Sequence, residues 1–78
     1  KNYWKEKEME SKEVERAFRN SRAVTLGDSK LYLIIEANHI NETVMLDEVY
    51  QDGQSYVSKK LPRIGARFDM LRKPTLYR

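Results

Sequence analysis

The chain has 78 residues and 9.3 kDa; 40% of the residues are apolar, 35% are charged, the net charge is +3 and the mean hydropathy is −0.80. That is room for one small core; no apolar run approaches the ~20 residues of a bilayer-spanning helix, and nothing at the N-terminus reads as a signal peptide. Zero cysteines exclude disulfide stapling, thiolate chemistry and cysteine-ligated metals and suit a reducing intracellular compartment, while a single histidine, His39, leaves His-based metal sites and triads short of parts.

Residues 1–10 (KNYWKEKEME) are densely charged and aperiodic, and read as a charged N-terminal arm in which Tyr3 and Trp4 are candidates for docking. A single domain is expected over residues 11–76. From Ser11 the pattern turns helical: Ser11 is a candidate N-cap, Glu13 and Glu15 lie in the first turn, and Arg16 and Arg19 come late, as the helix dipole favours. Val14, Ala17 and Phe18 share one face at i, i+3, i+4 spacing, so a short helix lies on something apolar.

Beyond Asn20-Ser21 the chain changes character. Ala23–Leu26 reads as a short strand, Gly27-Asp28-Ser29 as a turn, and Leu31–Ala37 as a near-continuous apolar strand. Asn38–Glu42 is polar and turn-like. Thr43–Tyr50 has the content of another strand, Asp52-Gly53 signals a tight hairpin, and Ser55–Leu61 follows. Pro62 and Gly65 interrupt the pattern. Ala66, Phe68 and Met70 then alternate with Arg67, Asp69 and Leu71 as a half-buried strand, which Pro74 ends. The order is one helix and then five short antiparallel strands. Two open sheet edges on so small a protein call for pairing, covering or closure, and only Lys59-Lys60-x-Pro62 blunts them.

Charge is unevenly distributed: +2 over residues 1–22, −5 over residues 23–58 and +6 over residues 59–78. The basic block suits phosphates, whose neutralisation releases counterions. It suits equally a solvated tail, or pairing with the acidic middle of this chain or of a neighbour. For catalysis the parts are missing. Asp47 and Glu48 are adjacent, so on a strand they face opposite ways, and there is no P-loop, GxGxxG or EF-hand spacing. The expectation is a protein that is not an enzyme and uses no cofactor or metal.

Two loops carry the candidate binding residues. In Asn38-His39-Ile40-Asn41, His39 offers a ring for a base to stack on and Asn41 a donor and an acceptor for a base edge, a pairing suited to single-stranded RNA. The plainer alternative is an exposed loop histidine beside an asparagine that supports a left-handed turn. In Pro62-Arg63-Ile64-Gly65, Arg63 suits a base or a phosphate, and Gly65 permits close backbone approach or positive φ. The plainer alternative there is a simple β-turn.

Taken in order, the helix, the strands and the two loops resemble an Sm protein. Val14–Leu26 resembles the end of the family's N-terminal helix and its first strand. His39-Ile40-Asn41 followed by Val44-Met45-Leu46-Asp47-Glu48-Val49 resembles the first Sm motif. Tyr56-Val57-Ser58-Lys59-Lys60-Leu61-Pro62-Arg63 through Leu71-Arg72-Lys73-Pro74 resembles the second, most of all in the D-two type branch. The family's adjacent Arg-Gly is split here by Ile64. The resemblance implies a strongly bent five-stranded antiparallel barrel behind a short helix. It implies edge pairing with other Sm subunits in a heteromeric, seven-membered ring, with a uridine-rich small nuclear RNA threaded through its centre. His39 would stack on a base, Asn41 would bond its edge, Arg63 would clamp it, and Gly65 would let the backbone approach. The function so implied is a core subunit of a spliceosomal ribonucleoprotein in the nucleus, acting in pre-mRNA splicing.

A different class of function fits the same composition: a stand-alone α+β interaction module, an adaptor or inhibitor that binds a protein through an exposed strand edge. A small basic DNA-binding protein is disfavoured, because no helix carries a recognition face for the major groove.

Overall fold

The computed structural model describes residues 9–74. They form a helix, α1 (Ser11–Arg19), four strands, β1 (Leu31–Asn38), β2 (Thr43–Asp52), β3 (Ser55–Ser58) and β4 (Ile64–Arg67), and a 3-10 turn at Phe68–Met70. The protein is α+β and mainly β: one short helix and an antiparallel four-stranded sheet, not the five strands expected. The expected charged arm falls largely outside the described residues. Its last part belongs to the fold, since Met9 is buried and donates its N–H to Leu71 O at 3.2 Å.

The helix starts one residue earlier in its capping than the sequence suggests. Glu10, in extended conformation, is the N-cap, and its N–H donates to Glu13 Oε1 at 3.1 Å, while Ser11 is already helical. Val14 and Ala17 are buried, but Phe18, expected beside them, is 37% exposed on the rim of the buried face. At the other end Ser21 takes a left-handed φ of 53°, and the N–H groups of Ser21 and Arg22 reach back to Phe18 O and Ala17 O. This is a Schellman termination with serine where glycine is the usual choice.

β2 is the central strand. β1 pairs along one side of it, from Leu31 opposite Val49 to Asn38 opposite Thr43, with an irregularity between Ile34 and Glu36. On its other side β2 pairs with β3 at its C-terminal end and with β4 at its N-terminal end. Val44, Leu46 and Glu48 are buried at alternate positions, as a two-residue period requires. With Val14, Ala17, Tyr32, Ile34, Ala66, Phe68 and Leu71 the apolar ones make the core between helix and sheet. The β2–β3 loop is the two residues after Asp52, and Gly53 adopts φ +65°, which a residue with a Cβ adopts only under strain.

Three expected strands are shorter than their sequence pattern. Ala23–Leu26 makes only isolated bridges, Val24 to Tyr32 and Thr25 to Arg72. Here Asp28 organises a tight turn. Its Oδ1 accepts the Lys30 N–H at 3.2 Å, its Oδ2 accepts the Tyr32 hydroxyl at 3.1 Å, and Thr25 Oγ1 donates to its carbonyl at 3.0 Å. Burial acts to raise the Asp28 pKa, but these bonds prevail and hold it below the usual carboxylate value. Burial, and then the bond to Asp28, push the Tyr32 phenol up to about 12. The fourth strand pattern, Ser55–Leu61, stops at Ser58, and Lys60 adopts φ 59°. The fifth, Ala66–Leu71, turns into the 3-10 turn at Phe68, which leaves Met70 exposed instead of buried.

Candidate functional site

The polar turn between β1 and β2 is held by Asn38, whose Oδ1 accepts the N–H groups of Ile40 and Asn41, each at 3.0 Å. This self-capping fixes His39 and Ile40 as projections from the turn tip. Ile40 is 93% exposed. His39 is turned back onto the helix: Nε2 lies 2.8 Å from Glu15 Oε1, and Nδ1 lies 3.3 Å from Ser11 Oγ. Because the carboxylate only accepts, Nε2 carries a proton, and in the neutral ring Nδ1 accepts from the Ser11 hydroxyl. The ring also meets Phe68 edge-on, with centroids 5.3 Å apart and planes at 79°.

Ser11 and Glu15 lie one helical turn apart, so both reach the two nitrogens of one imidazole. A single histidine therefore suffices for a serine–histidine–carboxylate grouping, which corrects the expectation that the chain lacks the parts for one. The grouping is open to water, with 42% of the His39 side chain exposed, and Arg19 shares the same carboxylate at 2.7 Å. It acts as a clamp between α1 and the β1–β2 turn. The His39 hydrogen bond, followed by the bond to Arg19, holds the Glu15 carboxyl below its ordinary 4.5. A carboxyl whose folded pKa is depressed contributes fully above its unfolded value and loses that contribution as pH falls through the folded one. Glu15→Gln is therefore expected to lower stability slightly near neutrality and to flatten the acid limb of a stability–pH curve below about pH 4.5. Thermal melts of the two proteins between neutral and acid pH measure it.

Beside the clamp a groove of about 800 Å³ opens across β1, β2 and β4, lined by residues that include His39, Ile40, Met45, Gly65, Arg67 and Met70. The structure thus brings two of the four predicted site residues, His39 and Gly65, to one surface. Gly65 does not have positive φ; it lies in β4 opposite Met45, and a Cβ built on it would meet Met45 Sδ at an ordinary 3.6 Å. The glycine is thus not needed by the backbone, and its effect is to leave the groove floor low. Asn41 and Arg63 do not line the groove. Thr43 pairs with Arg67 and Leu46 with Ile64, so Arg63 enters β4 at the end away from the His39 turn, ~13 Å along the strand from Arg67.

The charged residues sort themselves in a way the sequence does not reveal. Lys59 is not an edge guard: its Nζ lies 2.6 Å from Glu48 Oε2 and neutralises a carboxylate that is 7% exposed. Asp47, on the opposite face as expected, accepts from Ser58 Oγ at 3.2 Å. Lys73 pairs with Glu13 at 2.5 Å and Arg67 with Asp69 at 3.1 Å. Lys60 and Arg63 have no ion pair among the described residues. No group of three or more potential metal ligands occurs among the described residues, and no described helix is long and apolar enough to cross a membrane.

Comparisons of the chain with protein-family models, with curated proteins and with solved structures found no match.

Proposed function

We propose that the chain is a protein-interaction module that takes an extended segment of a partner along the open edge of β4, across the groove over Gly65. The observation that carries this reading is the low groove floor beside an unpaired edge. Among the described residues β4 pairs only with β2, so its other edge offers free backbone donors and acceptors for strand addition. Met45, Met70 and Ile40 are exposed along the groove and suit apolar side chains at alternate positions of the incoming segment. Glu36 and Arg67 leave the lining without a charge surplus, which favours a peptide over a polyanion.

The direct test selects a peptide from a random displayed library and measures its affinity for the full chain and for Gly65→Val. Valine suits a strand, so the melting temperature should hold or rise, while the filled groove should weaken binding by about tenfold or more. Equal affinity for both proteins would count against the groove.

A second reading, the RNA-binding Sm-like ring subunit, draws on the open edge of β4 together with that of β3 and with two side chains left unused. The outer edges of β3 and β4 are both unpaired among the described strands, and the side chains of Asn41 and Arg63 have no hydrogen bond among the described residues. In that reading the bridges Val24–Tyr32 and Thr25–Arg72 mark a bent five-stranded barrel, and neighbouring subunits complete the edges. His39, Asn41, Arg63 and Gly65 would then line a uridine-rich RNA path. It ranks second because both His39 ring nitrogens already face α1 and because β4 separates Arg63 from the His39 turn. A fluorescent uridine-rich oligomer, with and without candidate ring partners, separates the two readings.

A further inference from the structure

A second cavity, of about 460 Å³, lies on a different part of the surface and shares no lining residue with the groove over Gly65. Its apolar part is formed by Met9, Ala17 and Ala23, all buried, with Tyr56 half-buried at its side. Ala17 and Ala23 contribute only methyl groups to its wall. Arg16, Arg22, Lys73 and the carboxylate of Glu13 also line it. Lys73 is paired with Glu13, but Arg16 and Arg22 have no ion pair among the described residues.

We propose that this cavity is a binding site for a small amphipathic anion, a carboxylate or sulfonate on a flat aromatic or short alkyl body. The volume falls within the range of small-ligand pockets. The apolar floor with Tyr56 takes the body, and the two guanidinium groups take the head, for which their planar donor forks are suited. Their placement is not left to chance. Arg22 follows directly on the left-handed Ser21, and its backbone N–H is fixed on Ala17 O at 2.9 Å, which sets it beside the helical turn that carries Arg16. A nucleic-acid backbone would gain little from the buried apolar floor, so the chemistry favours a small ligand with one charged end.

The probe is naphthoate, titrated into the isotope-labelled full chain and followed by amide NMR. Saturable shifts are expected at Ala17, Ala23 and Tyr56. Arg16→Gln combined with Arg22→Gln should weaken binding about tenfold or more, and naphthylmethanol, the uncharged analogue, should bind weaker than naphthoate by a similar factor. Both arginine side chains lack ion pairs among the described residues, so the variant should melt like the parent. The proposal is overturned if the neutral probe binds as tightly as the anion, if the shifts lie elsewhere, or if no saturation is reached at millimolar naphthoate.

Discussion

Phe68→Asp is expected to leave the chain unfolded at neutral pH. Phe68 is 4% exposed and sits where β4 turns into the 3-10 segment, with its N–H on Glu42 O at 2.8 Å and its ring in a T-shaped contact with His39. Losing a buried phenyl ring costs about 3–5 kcal/mol, and an unpaired buried carboxylate adds several more. A domain of this size has roughly 5 kcal/mol in hand. Phe68→Leu, which keeps much of the volume, should cost only about 1–2 kcal/mol. Circular dichroism and amide dispersion of both variants test this. A folded Phe68→Asp variant would mean that the 3-10 segment can swing out without taking the core with it.

The second large effect is expected at Leu46→Ala, with a loss of about 2–5 kcal/mol. Leu46 is 0% exposed at the middle of β2, paired with Ile34 on one side and Ile64 on the other. Strands on both flanks limit how far the site can collapse around a smaller side chain, which places the cost toward the upper part of that range. Denaturant unfolding should show a lower midpoint with little change in slope. A loss under about 1 kcal/mol would mean that the sheet closes over the cavity more freely than its register suggests.

The parts of the fold that were legible in the sequence are those fixed by local pattern. Leu31–Ala37 and Thr43–Tyr50 are long, β-branched and apolar, and both are strands; Val14 and Ala17 announce the buried helix face. What could not be read rests on contacts between distant residues. Ala66, Phe68 and Met70 alternate like a strand, but the partner strand runs out: Glu42, which accepts the Phe68 N–H in register, already turns at φ 56°, and the chain closes a 3-10 turn before Met70. Ala23–Leu26 has strand composition yet meets its neighbours only at two bridges, one of them from Thr25 to Arg72, far along the chain.

The candidate site was legible in the same partial way. The polar turn at Asn38–Glu42 was visible, and so was Gly65, though as part of a loop and not of the strand in which it lies; both border the groove. Their partners were not. His39 finds Ser11 and Glu15 far back along the chain, and Lys59 finds Glu48 across a hairpin. One signal was available for the first of these: Ser11 and Glu15 stand four apart on a helix, the spacing that lets two side chains share one ring. Arg63 and Gly65 look like one loop in the sequence, but the register of β4 puts only the glycine in the groove.

The central claim, that β4 is the edge on which a partner segment is laid, is tested most directly by amide hydrogen exchange with and without a library-selected peptide. Protection gained at Ile64–Arg67, and lost again in Gly65→Val, is the predicted result. Protection confined to the helix or to β3, with β4 exchanging as in the free protein, would contradict it.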